Sequence, residues 1–200
     1  MKKLFCLVCT GLMVWGCNSV PEFNKDEKPS DYISARHLQE KLNSTLIYSS
    51  EEQWDSINQI SHEQTKSGKG TISSDYKVFG WHPYTNGSSY KSYNFSMLWG
   101  ISYVGYIMQA QTGSYKSIHE WKTTALIDSA KAHGCKTFLS VVNFGGKNNA
   151  TFLNSPKAQT TLIDSIASLL KFRDADGINI DFEGVPKESK QDFIDFIGLV

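Results

Sequence analysis

Polar and apolar positions change rhythm twice along the 200-residue chain. An apolar run from Leu4 to Trp15 follows Lys2 and Lys3 and ends at Val14-Trp15-Gly16-Cys17. It has the length of a secretory signal and is too short to span a bilayer comfortably. Asn18 to Asp31 is polar, carries Pro21 and Pro29, and reads as a tether. Residues 32–70 have helical spacing. Ser49 and Glu52 are placed as a capping box for a helix running to about Thr65, and Ser67-Gly-Lys-Gly70 closes the segment.

From about Lys77 apolar runs alternate with amphipathic stretches. The pattern predicts strands at Val78–Trp81, Ile101–Ile107, Thr137–Val142 and Gly177–Phe182. It predicts helices over His119–His133 and Pro156–Leu170, and a last one opened by Pro186 and still running at Phe193, Ile194, Phe196 and Ile197. Such alternation argues for a parallel sheet, and nearly continuous apolar strands argue that helices cover it. Two closures fit, an open doubly wound sheet or a barrel. No glycine-rich phosphate loop follows a strand, and Gly145-Gly146 lacks the dinucleotide spacing. A (β/α)8 TIM barrel needs eight units in typically about 250 residues, and about four units are here. The expectation is an α/β fold, the N-terminal half of a TIM barrel over 76–200. Before it come a signal at 1–17 and a tether with a helical segment at 18–75. Half a barrel leaves open sheet edges and holds only half of a barrel's active site, so the chain is expected to be part of a longer protein and inactive alone.

Composition changes this picture little. Lys and Arg balance Asp and Glu, so no basic patch for nucleic acid is signalled. The cysteines make no disulfide framework. Cys6 and Cys9 fall within the signal, and Cys17 follows a small residue at its end. Cys135 starts an apolar run and reads as a buried, inert thiol. His82, His119 and His133 share no metal-ligand spacing, so no metal or other cofactor is expected there.

The informative stretch is Asp176-Gly-Ile-Asn-Ile-Asp-Phe-Glu183. Strand alternation puts Asn179, Asp181 and Glu183 on one face and Ile178, Ile180 and Phe182 on the other. Asp181 and Glu183 then lie about 6–7 Å apart at Cα. Like charges so close do not both ionise cheaply in a low-dielectric site, and the group that keeps a proton serves as a general acid. The same carboxylates also suit a Mg²⁺ or Ca²⁺ site or a solvated strand end. Asn179 is a neutral amide able to donate to the Asp181 carboxylate. Asp176 is off this parity and reads as structural at the start of the strand, with Gly177 allowing close packing. Trp81, Tyr84 and Tyr106 stand near the first two strand ends, where aromatic rings either stack on sugars or fill the core. Asn148, Asn149 and Thr151 fall in a predicted loop at the cleft.

The stretch resembles the Asp-Gly-x-Asp-x-Asp-x-Glu signature of glycoside hydrolase family 18, the chitinase-like barrels, where it forms strand four. Val78–Trp81 and Ile101–Ile107 are similar to strands one and two. Lys136–Gly146, with Ser140, is similar to strand three, but Val142 and Asn143 stand where the family often has Gly-Gly. Asn179 replaces the middle Asp, which resembles the branch acting on spore-cortex peptidoglycan. The resemblance implies a retaining, substrate-assisted hydrolase of N-acetylglucosamine polysaccharides, chitin or peptidoglycan, working without a cofactor. It implies Glu183 as acid and base, Asp181 as its partner, and Asn179 and Ser140 in support. Lectin-like relatives usually lack the terminal Glu. A non-catalytic glycan binder and a metal-dependent barrel enzyme remain the alternatives. The N-terminal segment resembles a bacterial lipoprotein signal, implying lipidation at Cys17 and an envelope anchor, or else release by simple cleavage.

Overall fold

The computed structural model describes residues 48–60 and 76–200, together with Asn43, Leu46 and the backbone of Phe5–Val8. The rest of the expected signal, including Cys17, and the tether lie outside the described residues.

The strands are β1 (Phe5–Val8), β2 (Phe79–Pro83), β3 (Gly100–Met108), β4 (Tyr115–Ser117), β5 (Lys136–Phe144) and β6 (Gly177–Glu183). The helices are α1 (Glu51–Ile57), α2 (Leu126–Ala132), α3 (Gly146–Leu153), α4 (Pro156–Arg173) and α5 (Lys190–Leu199). The sheet order is β1-β6-β5-β3-β2, all parallel, with β4 antiparallel against the tip of β3. From β2 to β6 each parallel strand lies beside the next in the chain. A doubly wound sheet reverses its order at a switch point, whereas a barrel adds each strand beside the last. β1 pairs with Gly177–Ile180 along the far edge of β6, an edge half a barrel leaves open.

One sheet face is covered by helices. Ile101, Tyr103, Leu139, Val141, Ile178 and Ile180 pack there against Leu126, Ile127, Phe152, Leu162, Ile166 and Phe196. At about 25 cal/mol per Å², such side chains each contribute roughly 1.5–3 kcal/mol on burial. α4 is bounded as the sequence directs. The Ser155 hydroxyl accepts from Ala158 N, Pro156 sits in the first turn, and Asp174 closes the helix in the left-handed region. Cys135 is buried, its thiol donating to the Phe95 and Leu98 carbonyls, and burial pushes its pKa up.

Several local expectations are corrected. The cap of α1 is Ser50, whose hydroxyl accepts from Gln53 N, while Gln53 Oε1 reaches back to Ser49 N. The helix ends at Ile57, well short of Thr65. The helix expected over His119–His133 begins only at Leu126. Before it, His119 adopts φ +44° and the Thr124 hydroxyl captures Leu126 N, a local bond that competes with the helix. Trp121 is nevertheless fully buried, donating from Nε1 to the Leu169 carbonyl. The expected loop holding Asn148, Asn149 and Thr151 is helix α3.

α1 packs into the same core through Trp54. Beside it the buried Glu51 carboxylate accepts from Tyr90 Oη at 2.9 Å and from Thr124 Oγ1 at 2.5 Å. Burial raises the Glu51 pKa, and those two hydrogen bonds oppose the shift.

Candidate active site

Strand register determines which side chains share the face opposite the helices α2–α5. β5 and β6 pair Ser140 with Asn179, Val142 with Asp181 and Phe144 with Glu183. β3 brings Val104 beside Ser140, and β2 brings Trp81 beside Ser102. In-register residues of parallel strands point the same way. Trp81, Ser102, Val104, Ser140, Val142, Phe144, Asn179, Asp181 and Glu183 therefore belong to one face, opposite the helices. Val104, Val142 and Phe144 form a small apolar cluster of their own there.

The start of β6 is tied down. Asp176 Oδ1 accepts from Lys136 Nζ at 2.8 Å, and Oδ2 accepts from Thr137 N at 2.9 Å. Partial burial raises the Asp176 pKa, but the ammonium and the backbone N–H outweigh it and hold the carboxyl below its usual range. Asp176 thus locks β5 and β6 into register three residues before Asn179.

A buried polar chain crosses the face. The hydroxyls of Ser102 and Ser140 lie 2.7 Å apart, and Asn179 Nδ2 donates to Ser140 Oγ at 3.2 Å. The amide thus turns along the sheet to the neighbouring strand. Asn179 Oδ1 is buried and has no hydrogen-bond partner among the described residues. A buried acceptor left in this way is costly and calls for a donor. Ser102 was not singled out from the sequence. It sits inside an apolar run, and only the register with β5 reveals its partner.

The three aromatic candidates separate. Trp81 is on the carboxylate face, 39% exposed, its ring edge-on to Phe79 at 5.0 Å. Tyr106 is on the helix face, fully buried, with its hydroxyl donating to the Gly113 carbonyl at 2.7 Å. Burial pushes its phenol up to about 12. The physical reason is a bulge. The register of β3 shifts between Val104 and Tyr106, so Tyr106 pairs with Val141 rather than following Val104 onto the face opposite the helices. Gly105 permits it, since a Cβ there would lie 2.4 Å from the Tyr103 ring. Tyr84 is also core. The chain leaves β2 at Pro83 into a short turn that lays Tyr84 on His119, ring centroids 3.5 Å apart.

The histidines serve this packing. His82 is buried with Nδ1 3.0 Å from Tyr93 Oη. Burial pushes its imidazole down to about 4, against the Gly87 carbonyl and the Asp55 charge. His119 Nδ1 lies 2.6 Å from Tyr48 Oη, and His133 Nδ1 lies 2.8 Å from the Ser129 carbonyl. Among the described residues, no three His, Cys, Asp or Glu side chains gather as metal ligands.

No family model matches the chain, and no curated protein matches it. Solved structures do. The Bacillus cereus spore cortex-lytic enzyme SleL aligns with 60% of this chain and 31% of its own, at 16% identity and a TM-score of 0.54. A Bacteroides thetaiotaomicron chitinase aligns with 60% of this chain and 40% of its own, at 21% identity and a TM-score of 0.52. The family 18 chitinase of Cycas revoluta, in complex with (GlcNAc)3, aligns with 60% and 38%, at 16% identity and a TM-score of 0.50. The chain spans about a third of the length of these structures. At such identities the likeness defines the fold: the parallel α/β sheet matches part of a glycoside hydrolase TIM barrel.

Proposed function

We propose that this chain carries the acid–base strand of a retaining glycoside hydrolase. Its substrate is a β-1,4-linked polysaccharide that contains N-acetylglucosamine, chitin or peptidoglycan. The observation that carries the reading is the alignment of Asn179, Asp181 and Glu183 on the sheet face away from the helices, at the end of the β6 strand. Barrel enzymes hold their chemistry at that end of their strands. The trimer in the Cycas revoluta chitinase supports the choice of sugar.

In this mechanism Glu183 protonates the departing glycosidic oxygen. The 2-acetamido oxygen of the sugar attacks the anomeric carbon as the glycosidic C–O bond breaks, forming an oxazolinium ion. Asp181 accepts the acetamido N–H and balances the positive charge. Glu183 then removes a proton from water, which opens the ring of the oxazolinium and regenerates the starting configuration. Trp81 supplies a flat apolar surface for a sugar ring. The protein is exported and held at a bacterial envelope through a lipid on Cys17.

The test uses the full-length protein. Release of reducing ends is measured from N-acetylglucosamine oligomers and from peptidoglycan, with and without chelator. Turnover of at least one polymer, undiminished by chelator, is expected. Turnover lost on chelation, or tight binding without cleavage, contradicts the proposal.

A further inference from the structure

The carbonyl of Glu183 is held more firmly than the end of a strand usually is. It accepts from Gly145 N at 2.9 Å and from Asn149 Nδ2 at 2.8 Å. Asn149 is fully buried, and its Oδ1 accepts in turn from Asn143 Nδ2 at 2.9 Å. The chemistry fixes the amide's orientation, because a carbonyl accepts only and the group facing Glu183 must be the NH2. Both turns fold together at this point. Gly145 has φ +88° and Gly184 has φ +76°. A Cβ on Gly184 would stand 3.6 Å from Gly145 Cα.

We propose that Asn149, oriented by Asn143, is a positioning residue for Glu183. The inference rests on the reading of Glu183 as the acid. Glu183 is the last residue of β6, and the chain turns away at Gly184. Its side-chain direction follows the plane of its own peptide, and two donors, Gly145 N just after β5 and Asn149 Nδ2 on α3, fix that plane. Misplacing a reacting group by about 1 Å can cost 10²-fold in rate. The segment from Gly145 to Asn149 thus sets the aim of the residue on β6 without touching substrate.

The experiment compares Asn149→Asp and Asn149→Ala with wild type and Glu183→Gln in the full-length protein, using an N-acetylglucosamine tetramer. Asn149→Asp keeps the oxygen that Asn143 needs and replaces the N–H facing Glu183 by a second oxygen. Both variants are expected to lose kcat by about 10- to 100-fold, with KM within about twofold, the signature of an interaction made in the transition state. The Gly145 amide, which shares the Glu183 carbonyl, is expected to exchange its hydrogen faster in both. Wild-type kcat in both variants, where Glu183→Gln is inactive, overturns the positioning role alone. A loss of kcat that disappears once rates are expressed per folded molecule also overturns it. Full activity in Glu183→Gln overturns the acid assignment and this inference with it.

Discussion

Glu183→Gln is expected to lower turnover of N-acetylglucosamine oligomers by about 10²- to 10⁴-fold, the usual worth of a positioned proton donor. The substitution keeps shape and hydrogen-bonding reach but leaves nothing to give to the departing oxygen. KM should stay close to wild type, because the lost interaction belongs to the transition state. Folding should be unaffected. The register partner of Glu183 is Phe144, and its backbone carbonyl accepts from Gly145 N and Asn149 Nδ2, bonds that the substitution leaves in place. Steady-state kinetics on the full-length protein check this. Turnover within tenfold of wild type removes Glu183 from the acid role.

The second large effect separates two aromatic residues that look alike in the sequence. Tyr84→Ala is expected to cost about 3–5 kcal/mol of stability, as for other large aromatic side chains removed from a core. Tyr84 is only 4% exposed, stacked on His119 and edge-on to Trp54 at 5.5 Å. Its loss opens a cavity between Trp54 and His119. Trp81→Ala removes an aromatic of greater size from a half-open position, and its stability cost is expected to stay below about 1 kcal/mol. Its effect should instead appear as a several-fold rise in KM, since stacking binds substrate and transition state alike. Chemical unfolding and kinetics on both variants decide the matter. A stability loss for Trp81→Ala as large as that for Tyr84→Ala would make Trp81 a core residue too.

These two residues also mark where the sequence stops being readable. The acidic face of β6 was legible because Ile178, Ile180 and Phe182 alternate strictly with Asn179, Asp181 and Glu183, and period two leaves one arrangement. Asp176 was legible as structural because it breaks that parity. Tyr106 was not, since the same parity rule carried past Gly105 puts it on the wrong face, and nothing in Val104-Gly105-Tyr106 announces a bulge. Tyr84 was not, because its place depends on how the chain turns after Pro83. α3 was hidden by Gly145-Gly146 and the pair Asn148-Asn149, residues that favour turns. The helix forms because tertiary bonds use those amides: Asn148 Nδ2 donates to the Phe144 carbonyl and Asn149 Nδ2 to that of Glu183. Ser102 and the direction of the Asn179 amide needed the strand register, which no single strand contains.

The central claim is that Asp181 and Glu183 work with the acetamido group of the substrate itself. Proton NMR of the first product formed tests it most directly, with an N-acetylglucosamine tetramer compared against its fully deacetylated counterpart. The proposed mechanism predicts that the acetylated tetramer yields the β anomer first and that the deacetylated one is not cleaved. An α anomer appearing first, or cleavage of the deacetylated tetramer at a similar rate, would contradict it.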